Sequence, residues 1–370
     1  GNQMKKAIKY IHLVLSLPAG IVLTIICLTG AILVFDDEIN QLINPSRYYV
    51  EKTTQAPLPL NQLIDIVNKQ LPNNNVSEIQ LHNDPERTAV ATLKEGFRVS
   101  AFINPYSGEV LAISPYRETF FFKVMSLHRW LMDSSRTTGK WITGVSTIFM
   151  VILLITGLIL WFPNKKKKIK SSITIKRKAG FNRKLYDIHK VLGAYASIVL
   201  LTLSLTGLMW SFDWYKNAVG RIFSIEMSEG KHGGGNNKGS RNEQKKNDVK
   251  AGSHSVIQWD AMLETIKQKV PKYSYIRLGE DKATVLPVDA LHERATDIYS
   301  FDAETNQIKS VKYYKDENQR KMNGWVYVLH TGSWGGWLTK IITFIAAIIG
   351  SSLPITGYWM FIRRIRKKHK

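Results

Sequence analysis

Four apolar runs constrain this chain more than any other feature. They cover roughly residues 13–35, 141–162, 191–212 and 338–362. Each has the roughly 20 residues a helix needs to cross the hydrocarbon core of a bilayer. Two polar blocks, about 40–125 and 213–325, lie between the first and second runs and between the third and fourth. The pattern is that of an integral membrane protein, a four-transmembrane-helix bundle carrying two α+β domains outside the bilayer.

The net charge of +22 raises nucleic acid as a partner, but its placement argues for topology instead. Lys5, Lys6 and Lys9 precede the first run, KKKKIK (165–170) and KRK (176–178) separate the second from the third, and RRIRKK (363–368) follows the fourth. Basic residues collect on the cytoplasmic side of a membrane. Both termini then face the cytoplasm and both polar blocks face the other side. Residues 51–109 fit this, holding more Asp and Glu than Lys and Arg. The lone cysteine, Cys27, excludes a disulfide framework and sits in the first run as a small apolar packing residue. That run is too long for a signal peptide and reads as a retained anchor.

The two polar blocks repeat one pattern. LPLNQLIDIVNKQL (58–71) predicts a helix, followed by strands over 76–82, 88–93 and 98–104, a turn, and EVLAI (109–113). WDAMLETIKQKV (259–270) predicts the matching helix, with strands over 273–279, 282–288, 296–302 and 308–314. VSAFINPYSGEVLAI and DIYSFDAETNQIKSV are the best matching stretches. The expected organisation is a first span over 8–37, a first outer domain over 40–118, an outer helix and second span over 119–163, and a basic loop over 164–184. A third span over 185–214, a second outer domain over 215–322, an outer segment and fourth span over 323–363, and a tail over 364–370 complete it. The Gly-, Asn- and Lys-rich stretch 230–252, which contains His232, reads as a disordered insert.

Four of the nine histidines have notable positions. His12 and His189 open the first and third runs, while His128 and His330 lie just outside the second and fourth. Singly, each reads as an interfacial residue with an apolar body and a polar tip. Together, they form one pair per membrane face, with the members of a pair on different helices. Zinc wants four ligands, which the apolar surroundings do not supply. Haem iron needs two axial ligands, because its macrocycle supplies the rest. Such a site has both axial positions filled and suits electron transfer. Arg129 and Lys190, each following a histidine, are candidates for pairing with haem propionates, with interfacial snorkelling as the alternative. Gly20, Gly30, Gly144, Gly157, Gly193 and Gly207 suit either a flat ring or close helix packing.

Several stretches resemble the PepSY-associated transmembrane family. They are HLVLSLPAGIVLTIICLTGAILVFDDEI (12–39), LHRWL with TGLILWFP (156–163), HKVLGAYASIVLLTLSLTGL (189–208), and LHTGSWGG (329–336) with ITGYWMFIRR (355–364). The repeated Thr-Gly pairs at 29–30, 156–157, 206–207 and 356–357 belong to that resemblance. It implies four spans, two periplasmic PepSY-like domains and a bacterial inner-membrane location. It also implies two b-type haems held by His12 with His189 and by His128 with His330. Some family members are ferric-siderophore reductases. The implied activity is therefore electron transfer from a cytoplasmic or quinol donor to a periplasmic acceptor such as a ferric siderophore, within iron uptake. No GxGxxG lies between a strand and a helix, so a nicotinamide site within the chain is not expected. The alternative is a non-enzymatic membrane protein that binds a partner or restrains a peptidase. A transporter would want charged groups inside the spans, and almost none stand at mid-depth. The acidic cluster Asp36, Asp37 and Glu38 marks the end of the first run.

Overall fold

The computed structural model of the chain describes residues 2–163, 172–176, 178–226, 258–302 and 305–368. The 230–252 insert lies outside the described residues, as do 164–171 and 177 of the basic loop after the second span. The chain divides into two units: Gly1–Asn40 with Thr119–Glu226 and Met322–Lys370, and Gln41–Glu118 with Met227–Lys321.

The second unit holds α2 (Asp36–Ile43, in part), α3 (Pro45–Tyr48), α4 (Leu60–Gln70) and strands β1 (Val76–His82), β2 (Ala89–Leu93), β3 (Val99–Ile103) and β4 (Val110–Pro115). Its other half supplies helix Trp259–Lys269 and strands β5 (Tyr273–Leu278), β6 (Lys282–Pro287), β7 (Asp297–Phe301) and β8 (Ile308–Lys312). Each half is a helix on an antiparallel four-stranded meander, as its periodicity predicts. The halves are not separate sheets, however. They join into one eight-stranded sheet of order β4-β3-β2-β1-β5-β6-β7-β8. At the centre β1 and β5 run antiparallel, pairing Ile79 with Leu278 and Gln80 with Arg277. The outer hairpins match in detail, since β3 and β7 each shift register at their last step, Phe102/Ile103 and Ser300/Phe301.

One apolar core serves both halves. Leu63, Val67, Ile79 and Ile103 from the first join Met262, Ile266, Ile276 and Tyr299 from the second, all at most 1% exposed. The two helices also cap each other. Asp260 accepts the backbone N–H groups of Leu60 at 2.5 Å and Asn61 at 3.0 Å, while Asn61 Oδ1 accepts that of Trp259 at 3.1 Å. Each helix thus satisfies free N–H groups of the other, and the acid stands at the positive end of the α4 dipole.

The first unit contains α1 (Asn2–Leu33), α5 (Phe120–Trp130), α6 (Thr138–Trp161), α7 (Phe181–Ser211), α8 (Asp213–Ile222), α10 (Asn318–Thr331) and α11 (Gly336–Lys368), the helix Trp259–Lys269 of the other unit being α9. Among the described residues, four stretches are long and apolar enough to cross a membrane: Gln3–Leu33, Thr138–Trp161, Phe181–Ser211 and Ser333–Lys367. Both α1 and α7 pack on α6 and on α11, so α1 and α7 stand diagonally across a ring of four helices. Small side chains permit the close approach, with Ala19, Ala196 and Ala346 buried beside Leu23, Leu153 and Leu200. Gly20 leaves room for Tyr358, whose hydroxyl donates to the Leu17 carbonyl at 2.5 Å. This bond fastens α11 to α1 beside the Pro18 position, where the helix lacks a backbone donor.

The continuity of the sheet predicts a cross-link. Residues directly opposite in an antiparallel pair have Cα atoms about 4.5–5.5 Å apart, within disulfide range. Gln80→Cys/Arg277→Cys is expected to form an intramolecular disulfide on mild oxidation, seen as a mobility shift on a non-reducing gel that thiol reverses. No shift would mean that the two halves do not share an edge.

Candidate functional site

The helices that carry the four histidines follow one repeat. On α1, His12 precedes Thr29 by 17 residues (29 − 12), and on α7, His189 precedes Thr206 by 17 (206 − 189). A rise of about 1.5 Å per residue separates each such pair by about 25 Å along its helix, most of a bilayer core. The other two histidines lie on the short helices that lead into the remaining spans, His128 on α5 and His330 on α10. A tight turn fixes α5 against α6. Leu131, Met132 and Arg136 adopt positive φ, and a Cβ on Gly139 would lie 1.8 Å from the Trp130 carbonyl oxygen. Asp133 accepts the Gly139 N–H at 3.0 Å, and Thr143 Oγ1 donates to the Arg129 carbonyl at 2.8 Å.

Every one of the four rings meets a Thr-Gly pair on a neighbouring helix. His12 Nδ1 lies 2.9 Å from Thr156 Oγ1, and His189 Nδ1 lies 2.8 Å from Thr356 Oγ1. His128 Nδ1 is 3.1 Å from Thr29 Oγ1 and 2.9 Å from the Ile26 carbonyl oxygen. His330 Nδ1 is 3.0 Å from both Thr206 Oγ1 and the Leu203 carbonyl oxygen. The glycine after each threonine lies under the ring. A Cβ on Gly30 would come within 3.1 Å of His128 Cε1, and one on Gly207 within 3.1 Å of His330 Cε1. Gly157 and Gly357 face His12 and His189 with more space, at 3.5 and 3.9 Å.

The direction of these bonds fixes the tautomer. Thr29, Thr156 and Thr206 donate their hydroxyl protons to the carbonyls of Ile25, Ile152 and Thr202, at 2.6, 2.7 and 2.6 Å. Thr356 donates to Leu353 at 2.9 Å, with Ser352 at 3.1 Å. A hydroxyl has one proton, so each threonine oxygen can only accept from its histidine. The Ile26 and Leu203 carbonyls can likewise only accept. At His128 and His330 the carbonyl contacts call for the proton on Nδ1 and a lone pair at Nε2, and the threonine contacts of His12 and His189 are compatible with the same form. A histidine that ligates a metal through one nitrogen and is steered through the other has this arrangement.

The rings also pair. The centres of His128 and His330 are 6.1 Å apart with planes at 60°, and Trp210 packs edge-on to His330 at 5.1 Å. His12 and His189 project from the diagonal helices α1 and α7, and His12 lies within electrostatic reach of His189. All four rings are half-buried. Among the described residues, no three His, Cys, Asp or Glu side chains gather as a bare metal ion would require.

The two neighbouring cations differ in their surroundings. Arg129 lies within electrostatic reach of both His128 and His330, with its guanidinium 5.4 Å from the Trp130 ring centre. Lys190 sits in a charge cluster with Asp187, Arg183 and Lys176. Asp187 there is fully buried and ion-paired with Arg183 at 3.1 Å. The sequence had singled out the histidines and several of the glycines. It had not given the threonines a role, although their fourfold Thr-Gly recurrence was the signal.

The spans and the sheet unit together define a multi-pass membrane protein with paired internal repeats and a lipid bilayer as its environment. The chain belongs to the family described as the PepSY-associated TM region, whose model matches residues 10–364, nearly its whole length. A search of the curated proteins finds no match for the chain.

The threonine contacts predict a measurable change in the rings. In Thr156→Val and Thr356→Val, His12 and His189 each lose their threonine acceptor, a net of about 0.5–1.5 kcal/mol per bond. Nitrogen-15 spectra of histidine-labelled protein freed of any ligand should show the Nδ1–H form in the wild type and a mixture with the Nε2–H form in the variants. A wild type already in the Nε2–H form would contradict the assignment.

Proposed function

We propose that the two histidine pairs hold two b-type haems and that the chain conducts electrons across the bilayer between them. The observation that carries this reading is the fourfold cradle: at each histidine a Thr-Gly pair orients Nδ1–H and leaves Nε2 free, and the rings fall into two pairs. His12 with His189 and His128 with His330 would hold the two haems. When bound, each haem would supply a one-electron couple suited to electron transfer. Thr156 and Thr356 orient the first pair, Thr29 and Thr206 the second. The apolar walls of the bundle keep water from both. Arg129 and Lys190 are placed to neutralise propionates, Arg129 from beside its pair and Lys190 from within its cluster.

The basic residues at both chain ends and between the second and third spans assign the His12/His189 end to the cytoplasm, by the positive-inside rule. The sheet unit then faces the periplasm of a bacterial inner membrane. The His12/His189 pair would face the donor, a cytoplasmic reductase or a quinol. The His128/His330 pair would face a periplasmic acceptor, for which a ferric siderophore is the candidate. Its hard anionic donors favour Fe(III), so one-electron reduction loosens the chelate. A partner-binding or peptidase-restraining protein without a cofactor would use the four cradles only as clasps between helices.

The spectrum of the purified full chain from haem-replete cells tests this reading. A bis-histidine b-type spectrum is expected in the oxidised and dithionite-reduced states. His330→Ala should remove about half of the haem and His12→Ala the other half, with both together giving a colourless protein. His82→Ala, in the sheet unit, should leave the spectrum unchanged. A colourless wild type would sink the proposal.

A further inference from the structure

At the His12/His189 end of the bundle, α7 and α11 diverge and leave an open groove of about 450 Å³. Its lining has two chemistries. Leu185, Tyr186, Trp359 and Met360 form an apolar and aromatic wall, and Arg363, Arg364 and Lys367 form a cationic rim. Among the described residues, the lining contains no Asp or Glu. The nearby carboxylate, Asp187, is fully buried and engaged by Arg183, so it does not neutralise the rim.

The rim is partly fixed in place. Arg363 donates to Asn182 Oδ1 across the groove, tying the end of α11 to the start of α7. Phe181 packs edge-on to Trp359 with centres 6.0 Å apart, closing one side. Cations at a helix end ordinarily reach individually into water or complement the helix dipole. Here three of them, at 363, 364 and 367, converge on one cleft between two helices, with an indole and a phenol where such rings meet the membrane interface. An apolar wall running toward the spans and a positive rim at their end match a phospholipid: acyl chain along the wall, phosphate at the rim. Basic pockets between membrane helices bind anionic head groups in this way.

We propose that this groove binds the phosphate head group of an anionic phospholipid. The groove lies next to the first histidine pair, with Leu185 and Tyr186 about one helical turn before His189 and Trp359 about one turn after Thr356. A lipid seated there covers the open edge of the His189–Thr356 contact. The proposal does not depend on the identity of any metal or cofactor at the histidines.

Native mass spectrometry of the full chain, exchanged in detergent with equal amounts of phosphatidylglycerol and phosphatidylcholine, tests it. The wild type is expected to retain phosphatidylglycerol in preference to phosphatidylcholine. Retention should fall at least about tenfold in Arg363→Gln/Arg364→Gln/Lys367→Gln. Arg364→Gln alone, at an exposed position, should show an intermediate loss and covers the case of a misfolded triple variant. Lys6→Gln/Lys9→Gln removes two cations of α1 outside the groove and should retain the lipid as the wild type does. Equal retention of the two lipids, equal losses in both sets of variants, or displacement of phosphatidylglycerol by inorganic phosphate would overturn the proposal.

Discussion

An imidazole placed among apolar helices has one donor and one acceptor nitrogen to satisfy without water, and an unpaired polar group there costs several kcal/mol. In this protein the donor side is met four times by the same device, a threonine oxygen on the next helix. The threonine is itself satisfied, because its proton goes back to a carbonyl of its own helix. The arrangement is local, neutral and complete except at Nε2. It also acts as a clasp between helices. His12 ties α1 to α6, His189 ties α7 to α11, and His128 and His330 tie the short helices α5 and α10 to α1 and α7. The packing of the bundle and the aim of the four rings therefore rest on one interaction.

Duplication explains why the device occurs in pairs. A segment made of span, sheet half, short helix and span occurs twice, and within each unit corresponding elements of the two copies meet. In the bundle this sets α1 diagonal to α7, and with them His12 and His189. In the sheet unit it sets β1 beside β5 and lets α4 and α9 cap each other. Neither half of the sheet has a closed core alone, since Ile79 and Ile276 lie at the seam and are fully buried there. Joining two edges also removes two exposed strands that would otherwise template aggregation.

How much of this was legible in the sequence depended on range. Hydropathy placed the four spans, and period-two alternation placed the strands to within a residue or two, as at Val76–His82 and Tyr273–Leu278. Those signals are local. The β1–β5 pairing joins residues about 200 positions apart, and both strands look like ordinary half-buried strands of separate meanders. The cradles are likewise non-local, with separations of 99 to 167 positions between each histidine and its threonine. Sorting by membrane face suggested which histidines to pair. It gave no account of what steers them, because a threonine inside a membrane helix usually does no more than bond its own backbone. Lys190 shows the same limit: its neighbour in sequence is His189, but its electrostatic partners are Asp187, Arg183 and Lys176.

The chemistry of the acceptor has a further consequence. Metal-bound histidines in aqueous proteins are commonly steered by a carboxylate, which pushes electron density onto the ligating nitrogen and favours the more highly charged state of the metal. A carboxylate at these positions would be an unpaired charge among apolar helices, with a heavy desolvation cost. Threonine and backbone carbonyls orient the ring at no such cost. They also push less charge onto Nε2 than Asp or Glu would. The same neutral choice serves all four histidines, with a backbone carbonyl added at His128 and His330. The two pairs differ further in what is not repeated: Trp210 against His330, Arg129 beside the second pair, and the buried Asp187–Arg183 pair two residues from His189.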